Sequence, residues 1–445
     1  MKVVTRIAPS PTGQMHIGTV RTALFNYLFA KKNNGTYFVR IEDTDKERNR
    51  EEWVEAIWED FSWCGLEPDM RYRTSERLER HRELLKRLVD SGKAYVSKEP
   101  AKDDPERTVG VVRLRNPGIS VTFDDLIRGA VTFDTSELRD FVIARAVNDP
   151  LYHFAVVVDD GDAGVTHILR AEEHISNTPR QILIQEALGF MRPYYGHLPL
   201  ILAPNRSKLS KREHGASVEN YRAQGILPEA LINYLALLGW NPGTPQEIFS
   251  MSELIGSFSL SGIHKSGAIF DVEKLRWFNR HYLSQKSDSD FTVYAEPALR
   301  ERLSARNISY DASKFPLLLS LLRHATHVRA DIEKAAGEGE YDYFFADPML
   351  HAALIPDKKS SATDAKKHLQ KIAEILISLS EFTETSVRDA LWSYATKMGR
   401  GYVLWPLRYA LSGREKSPDP FIIASIIGKE AALGRVNNAI ELLKV

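Results

Sequence analysis

At 445 residues, with 43% hydrophobic and 27% charged side chains, the chain has the composition of a soluble globular protein with more than one domain. Its 59 basic and 59 acidic side chains cancel, which neither advertises nor excludes a nucleic-acid partner, because a local basic face can sit on a neutral protein. A single cysteine, Cys64, excludes an internal disulfide and a multi-cysteine zinc site and suits a reducing cytoplasm, and no apolar run is long enough to span a bilayer.

The chain begins directly on a strand, with no signal-peptide layout: Val3, Val4 and Ile7 read as a short buried strand rich in β-branched residues. A loop dense in Pro and Gly follows, and Val20, Leu24, Tyr27 and Leu28 then recur at helical spacing until Asn33-Asn34-Gly35. Gly18 and Thr19 fall near the helix start, where unpaired N–H groups and the positive dipole end suit an anion. A second strand over 36–41 ends in Glu42-Asp43-Thr44-Asp45. Asp43 and Asp45, two apart, admit a metal reading, but turn and cap hydrogen bonds suit them better.

Helical patterns follow over 51–64 and 76–91. This alternation predicts a parallel sheet that binds ligands at the carboxyl ends of its strands, where Arg6 and Glu42 both fall. Over 95–150 short strand-like pieces predict an insertion with its own small sheet. The α/β texture resumes at 152–158 and 166–170 and runs into a helix over 179–188. From Ser217 onward the chain reads as helical. Leu369, Ile372, Leu376 and Leu379 form one stripe; Leu391, Ala395 and Met398 form another, with Gly399 as its C-cap. Loops are expected at 337–340 and 356–361.

Gly13 and Gly18 have P-loop spacing, but the lysine that would reach the terminal phosphates is missing. His16 can instead donate to a phosphoryl oxygen as charge builds on it, or be no more than a turn histidine. The run NRSKLSKREHG at 205–215 holds Lys208, Lys211 and Arg212. Such a run is a solvated face or a mobile clamp for a triphosphate. Arg6 can offer a donor-only fork to a carboxylate, or form a strand-end ion pair with an acid such as Glu42.

His16-Ile17-Gly18-Thr19 resembles the HIGH signature of class I aminoacyl-tRNA synthetases, and Lys208-Leu209-Ser210-Lys211-Arg212 resembles their KMSKS loop. The blocks RIAPSPTG, VRIEDTD, LYHFAVVVDD, VTHILRAEEHISNTP, ILPEALINYLALLGW, FDVEKLRWFNRHYL and PLRYALSG run in family order from Arg6 to Gly413 and narrow the resemblance to the glutamyl-tRNA synthetases. That resemblance implies an α/β fold: a Rossmann-type catalytic domain with a small inserted domain, followed by an all-α anticodon-binding half. It implies catalytic halves at 1–94 and 151–216, and a shortened acceptor-stem-binding insertion at 95–150 that lacks the cysteines of zinc-holding members. A stem-contact helical domain at 217–310 and a helical anticodon-binding domain at 311–445 would follow.

The implied reaction is ATP-dependent activation of L-glutamate to glutamyl-adenylate and transfer to the 3′ end of tRNA. Mg²⁺ would ride on the phosphates, with no zinc and no protein metal ligand, in a cytoplasmic monomer that engages no membrane. By the same resemblance His16, Gly18, Thr19, Lys208 and Lys211 are catalytic, and Pro9, Glu173, Leu200, Ile201 and Ser210 join them around ATP. Arg6 would read the glutamate side-chain carboxylate, helped by Tyr152 and Arg170, while Ser10 and Glu42 hold the α-ammonium. Val156 stands where some relatives carry asparagine, and His174 where several carry an aromatic residue. Activation is expected to wait for bound tRNA. Members that accept only glutamate tRNA tend to carry Arg-x-Arg in the first anticodon module. Here Arg323-His324-Ala325 lacks the second arginine, which implies loading of glutamine tRNA as well. A catalytically silent tRNA-binding paralogue is the rival reading, and the intact His16, Lys208 and Lys211 argue against it.

Overall fold

In the computed structural model, which describes residues 2–44, 47–100, 106–210 and 216–443, the chain divides into two units, Met1–Tyr282 and Leu283–Val445. The first strand, β1 (Val4–Ile7), pairs in parallel with β2 (Thr36–Ile41), and β2 with β3 (Met70–Arg73). Helix α1 (Ile17–Lys32) makes the crossover between β1 and β2. Of its predicted stripe Val20, Leu24 and Leu28 are buried and Tyr27 is partly buried; Phe25, Arg21 and Asn26 are buried too, so the helix is enclosed on most sides. Gly35 closes the crossover because a Cβ there would lie 2.3 Å from the Val3 carbonyl oxygen. Helices α2 (Glu51–Trp63) and α3 (Leu78–Asp90) follow as the periodicity predicts, α3 after a 3₁₀ turn at Thr74–Arg77.

On the other side of β1 lies β10 (His167–Ala171), where the Thr166 N–H donates to the Val4 carbonyl at 3.0 Å. Strand β10 pairs in parallel with β11 (Tyr194–Leu198). Segment 152–158 is the start of α4 (Tyr152–Asp162), and α5 (Thr178–Leu188) packs against it. Phe154, Val157 and Val158 of α4 and Ile182 and Leu183 of α5 join Ile168 and Tyr195 in the core beneath the sheet.

The segment between these sheet halves differs from expectation. Strands β4 (Ala94–Pro100), β5 (Thr108–Leu114), β8 (Phe141–Ala146) and β9 (Asp149–Pro150) do make a separate antiparallel sheet. The hairpin β6 (Ser120–Asp125) and β7 (Gly129–Asp134) does not belong to it. It docks on β11 through the Tyr195–Asp125 pairing and the Leu126 N–H to the Tyr195 carbonyl at 2.8 Å. Alternating patterns specify which face of a strand is buried but not which edge it joins.

After β12 (Ile201–Leu202), which pairs with β13 (Ala268–Ile269), come helices α6 (Val218–Ala223), α7 (Pro228–Leu237), α8 (Met251–Ser257) and α9 (Val272–Gln285). The second unit is helical throughout its described residues, from α10 (Asp288–Ala305) to α18 (Lys429–Leu442). Leu369, Ile372 and Leu376 are buried on the helix Ala362–Ser378, while Leu379 caps its end and is half-buried. Leu391 and Ala395 are buried on Glu384–Met398, whereas Met398 is 44% exposed and leaves the stripe one turn early. Gly399, at φ 98°, breaks that helix from the next, as expected.

Candidate active site

A cavity of about 550 Å³ opens at the carboxyl ends of β1, β2 and β10. Its lining holds Arg6, Pro9, Ser10, His16, Gly18, Thr19, Glu42, Tyr152, Arg170, Glu173, Leu200, Ile201, Lys208 and Ser210, residues drawn from separate parts of the sequence. Lys211 and Asp45 lie outside the described residues.

One end of the cavity is built on the helix α1 N-terminus. His16 is its N-cap, with extended backbone, and its Nδ1 accepts the Gly18 N–H at 2.9 Å. That bond leaves the proton of the neutral ring on Nε2. Gly18 is required here, because a Cβ would sit 2.9 Å from Nδ1. The backbone of His16 pairs with Ser217 as an antiparallel bridge, flanked by the Ile17 N–H to Ala216 O at 3.1 Å and the Val218 N–H to Met15 O at 3.0 Å. The chain leaving the lysine run is therefore stitched to the histidine loop. Lys208 returns from a tight turn to pair antiparallel with Leu202 of β12, and its Nζ pairs with the Glu173 carboxylate. The Leu200 N–H donates to Glu172 Oε1 at 2.8 Å, which fixes the start of β12.

The other end is a buried charge cluster. Arg6 does not pair with Glu42. Its Nε and Nη2 donate to Asp160 at 3.2 and 3.1 Å, and its Nη1 has no hydrogen-bond partner among the described residues. Arg40 shares that acid through Nη1 at 2.6 Å and reaches Glu42 through Nη2 at 3.1 Å. Burial pushes the Asp160 carboxyl up, but Arg6 and Arg40 outweigh it and hold the group below its ordinary value. Glu42 shows the reverse balance: burial wins over Arg40, and its carboxyl is raised. A carboxylate in that state gains from a further cation beside it. Tyr152, Val156 and Asp160 fall at i, i+4 and i+8 on α4, which carries the acid to the same face as the tyrosine.

Arg170 is more tightly held than the sequence suggests. Its Nε donates to His197 Nε2 at 3.2 Å, Nη1 to Gln181 at 2.7 Å and Nη2 to Thr178 at 2.8 Å. It borders the cavity as a fixed positive wall. His174 also lines the cavity, and burial, then Arg170, push its pKa down to about 4, so it is neutral near pH 7.

Sequence reasoning missed four contributors. Asp160 was legible from its helical spacing to Tyr152. Arg40 and Arg21 gave no signal, one inside an apolar strand and one inside an apolar helix. Arg21 is buried at the cavity wall and donates to the carbonyls of Leu238 and Pro199. Asp125, on the inserted hairpin, reaches Arg170 through His197. Asp43 caps the 3₁₀ turn, accepting the Ser75 N–H at 2.8 Å and its hydroxyl at 2.6 Å, which is the turn-and-cap reading. Among the described residues no cluster of three or more His, Cys, Asp and Glu could hold a metal ion.

Arg323 and Ala325 lie in the second unit, on the helix Phe315–Ala325. Arg323, the one arginine present in this motif, has its guanidinium occupied within this unit. Its Nη1 donates to the carbonyls of Leu283 and Lys286 at 3.2 and 2.7 Å, its Nη2 to Asp288 at 2.7 Å, and the guanidinium lies 4.5 Å from the Phe291 ring centre. The arginine caps the end of α9. Ala325 borders a separate hollow with Tyr341, Arg414 and Ser417.

Residues 2–108 and 101–277 match the family "tRNA synthetases class I (E and Q), catalytic domain", and residues 290–440 match "Anticodon binding domain". The chain is 36% identical to a protein of Rubrobacter xylanophilus named glutamate–tRNA ligase 2, over 100% of this chain and 98% of that one. It is 38% identical to glutamate–tRNA ligase of Carboxydothermus hydrogenoformans, over 98% of this chain and 99% of the relative. Among solved structures, a glutamate tRNA ligase from Elizabethkingia meningosepticum in complex with its amino acid superposes with a TM-score of 0.87 at 31% identity, covering 100% of both chains.

Proposed function

The chain belongs to the glutamate–tRNA ligases among the class I (E and Q) tRNA synthetases, and on that premise we propose that its cavity makes glutamyl-adenylate and passes the glutamyl group to the 3′ end of tRNA. The observation that carries this reading is one cavity with an arginine fork pinned by Asp160 at one end and the His16–Lys208 loops at the other. An oxygen of the substrate α-carboxylate attacks the α-phosphorus of ATP, the bond to the β-phosphate breaks, and pyrophosphate leaves. A terminal ribose hydroxyl of tRNA then attacks the activated carbonyl and displaces AMP.

Each step needs charge stabilised rather than a protein nucleophile. His16 Nε2–H and the first N–H groups of α1 face the negative charge that builds on the α-phosphoryl oxygens. Lys208, once drawn from Glu173, and Lys211 neutralise the leaving pyrophosphate. Pro9, Gly18, Leu200, Ile201 and Ser210 line the nucleotide side. Mg²⁺ supplies further neutralisation when bound, and the cationic donor set suits an ion held by phosphates rather than by the protein. Arg6 Nη1, with Tyr152 and Arg170, reads the side-chain carboxylate, since a glutamine amide would turn N–H groups toward a donor-only fork. Glu42 and Ser10 hold the α-ammonium. Residues 95–150 take the acceptor stem and 217–310 the stem, with 311–445 on the anticodon. Glutamine tRNA is accepted too, supported by Ala325 in place of a second arginine and by the capping role of Arg323. Aminoacylation of purified tRNA pools with labelled glutamate, followed by identification of the charged isoacceptors, tests the reading. No charging of either isoacceptor overturns it.

A further inference from the structure

Neither Asp125 nor Arg128 lines the cavity, yet each reaches it through one intermediary. Both sit at the turn of the β6–β7 hairpin. Asp125 Oδ1 accepts the N–H groups of Ile127 at 3.0 Å and Arg128 at 2.9 Å, closing that turn, and the His197 N–H at 3.2 Å. Its Oδ2 accepts the ring Nδ1–H of His197 at 2.5 Å. With Nδ1 committed as donor, the neutral ring presents Nε2 as an acceptor, which Arg170 Nε–H meets at 3.2 Å beside the Thr178 hydroxyl, also at 3.2 Å. Asp125, His197 and Arg170 are all buried, so water cannot replace a lost partner.

A second chain leaves the same turn. The Arg128 Nη2 donates to Glu172 Oε2, and Glu172 Oε1 accepts the Leu200 N–H at 2.8 Å. One turn thus runs to Arg170 at the glutamate end and to Leu200 at the nucleotide end. We propose that Asp125 and Arg128 are positioning residues, which make this turn the lever by which tRNA seated on the insertion sets the glutamate and ATP subsites. The proposal rests on the reading of 95–150 as the acceptor-stem insertion. A carboxylate at 125 dictates the His197 tautomer. An amide there would aim N–H at Nδ1, force the proton to Nε2 and set it against the Arg170 Nε–H.

The experiment uses the full chain with Asp125→Asn, Arg128→Gln and Arg128→Lys. It measures ATP–pyrophosphate exchange with and without glutamate tRNA transcript, taking KM for glutamate and ATP separately. Arg128→Gln is expected to raise KM for ATP about tenfold, as the loss of one polar contact does, and to leave KM for glutamate unchanged. Arg128→Lys should recover most of that loss. Asp125→Asn is expected to raise KM for glutamate about tenfold with KM for ATP unchanged, and the ¹⁵N shifts of His197 should report an Nε2–H ring. In both Asp125→Asn and Arg128→Gln the stimulation of exchange by tRNA should shrink. A merely structural role would move both KM values together. If they do, or if tRNA stimulation stays at the wild-type level, the lever is overturned. Arg128 is partly exposed, so its variants test the proposal even if Asp125→Asn fails to fold. A wild-type chain that charges no tRNA with glutamate sinks the functional reading instead, which is a separate outcome.

Discussion

Arg6 on β1 and Asp160 on α4, 154 positions apart, form a buried two-point contact in which Nε and Nη2 donate to the carboxylate at 3.2 and 3.1 Å. Arg40 shares the same acid, so one carboxylate orients two guanidinium groups. Asp160→Asn removes the charge between them and offers a single acceptor oxygen. Breaking a buried pair this way costs about 3–5 kcal/mol, so a lower Tm is expected. With Arg6 no longer aimed, KM for glutamate in tRNA-stimulated exchange should rise tenfold or more, at about 1.4 kcal/mol per decade. A variant with the wild-type KM would show that Arg6 does not need this acid.

His16 and Gly18 act as a unit, because the ring accepts the Gly18 N–H. His16→Ala is expected to slow adenylate formation by ~10²–10³, as for loss of a transition-state donor, and to cost about 1 kcal/mol of stability as the lost N-cap of α1. Gly18→Ala should slow it as well, since the new methyl would displace the ring. Stopped-flow or exchange assays beside melting curves separate the two effects. Full activity in both variants contradicts the assignment.

Asp60 on α2 is buried near Glu219 and Arg222 of α6, and burial pushes its pKa up to about 7 despite Arg222. The folded protein therefore holds a proton there that the unfolded chain releases near pH 4. Its contribution to stability is fully present below the unfolded value and is lost as pH rises toward 7. Asp60→Asn should raise Tm at pH 8 and change it little at pH 4. Equal shifts at both pH values would contradict a raised Asp60.

Arg323→Ala removes a helix cap and an ion pair, so it should destabilise the helical unit and leave the preference between glutamate and glutamine tRNA unchanged. Ala325→Arg, in contrast, should favour glutamate tRNA by about ten- to a hundredfold, which is the ~1–3 kcal/mol of one arginine–base contact. Catalytic efficiencies on the two transcripts, measured side by side, decide between these roles. A preference already above a hundredfold in the unaltered chain would mean that other residues discriminate.

The sequence by itself determined the local layers of this protein. Strand β1, helix α1 and strand β2 follow from β-branched runs and helical spacing, and the loops bearing His16 and Lys208 follow from their glycine, proline and lysine content. Tyr152, Arg170, Glu173, Leu200 and Ile201 were placed at the cavity only through the family resemblance that short motifs carry, and Arg21 and Thr22 of its lining were not legible at all. Only the tertiary structure decided which charges pair. An arginine in this chain has 59 acidic candidates, and nothing local told Arg6 to choose Asp160 over Glu42, sent Arg323 to the carbonyls of Leu283 and Lys286, or docked the Asp125 hairpin on β11. Periodicity records which side of an element avoids water, over a turn or two of chain. The partner of a buried charge depends on which distant elements converge on it, because desolvation penalises the charge until such a partner arrives.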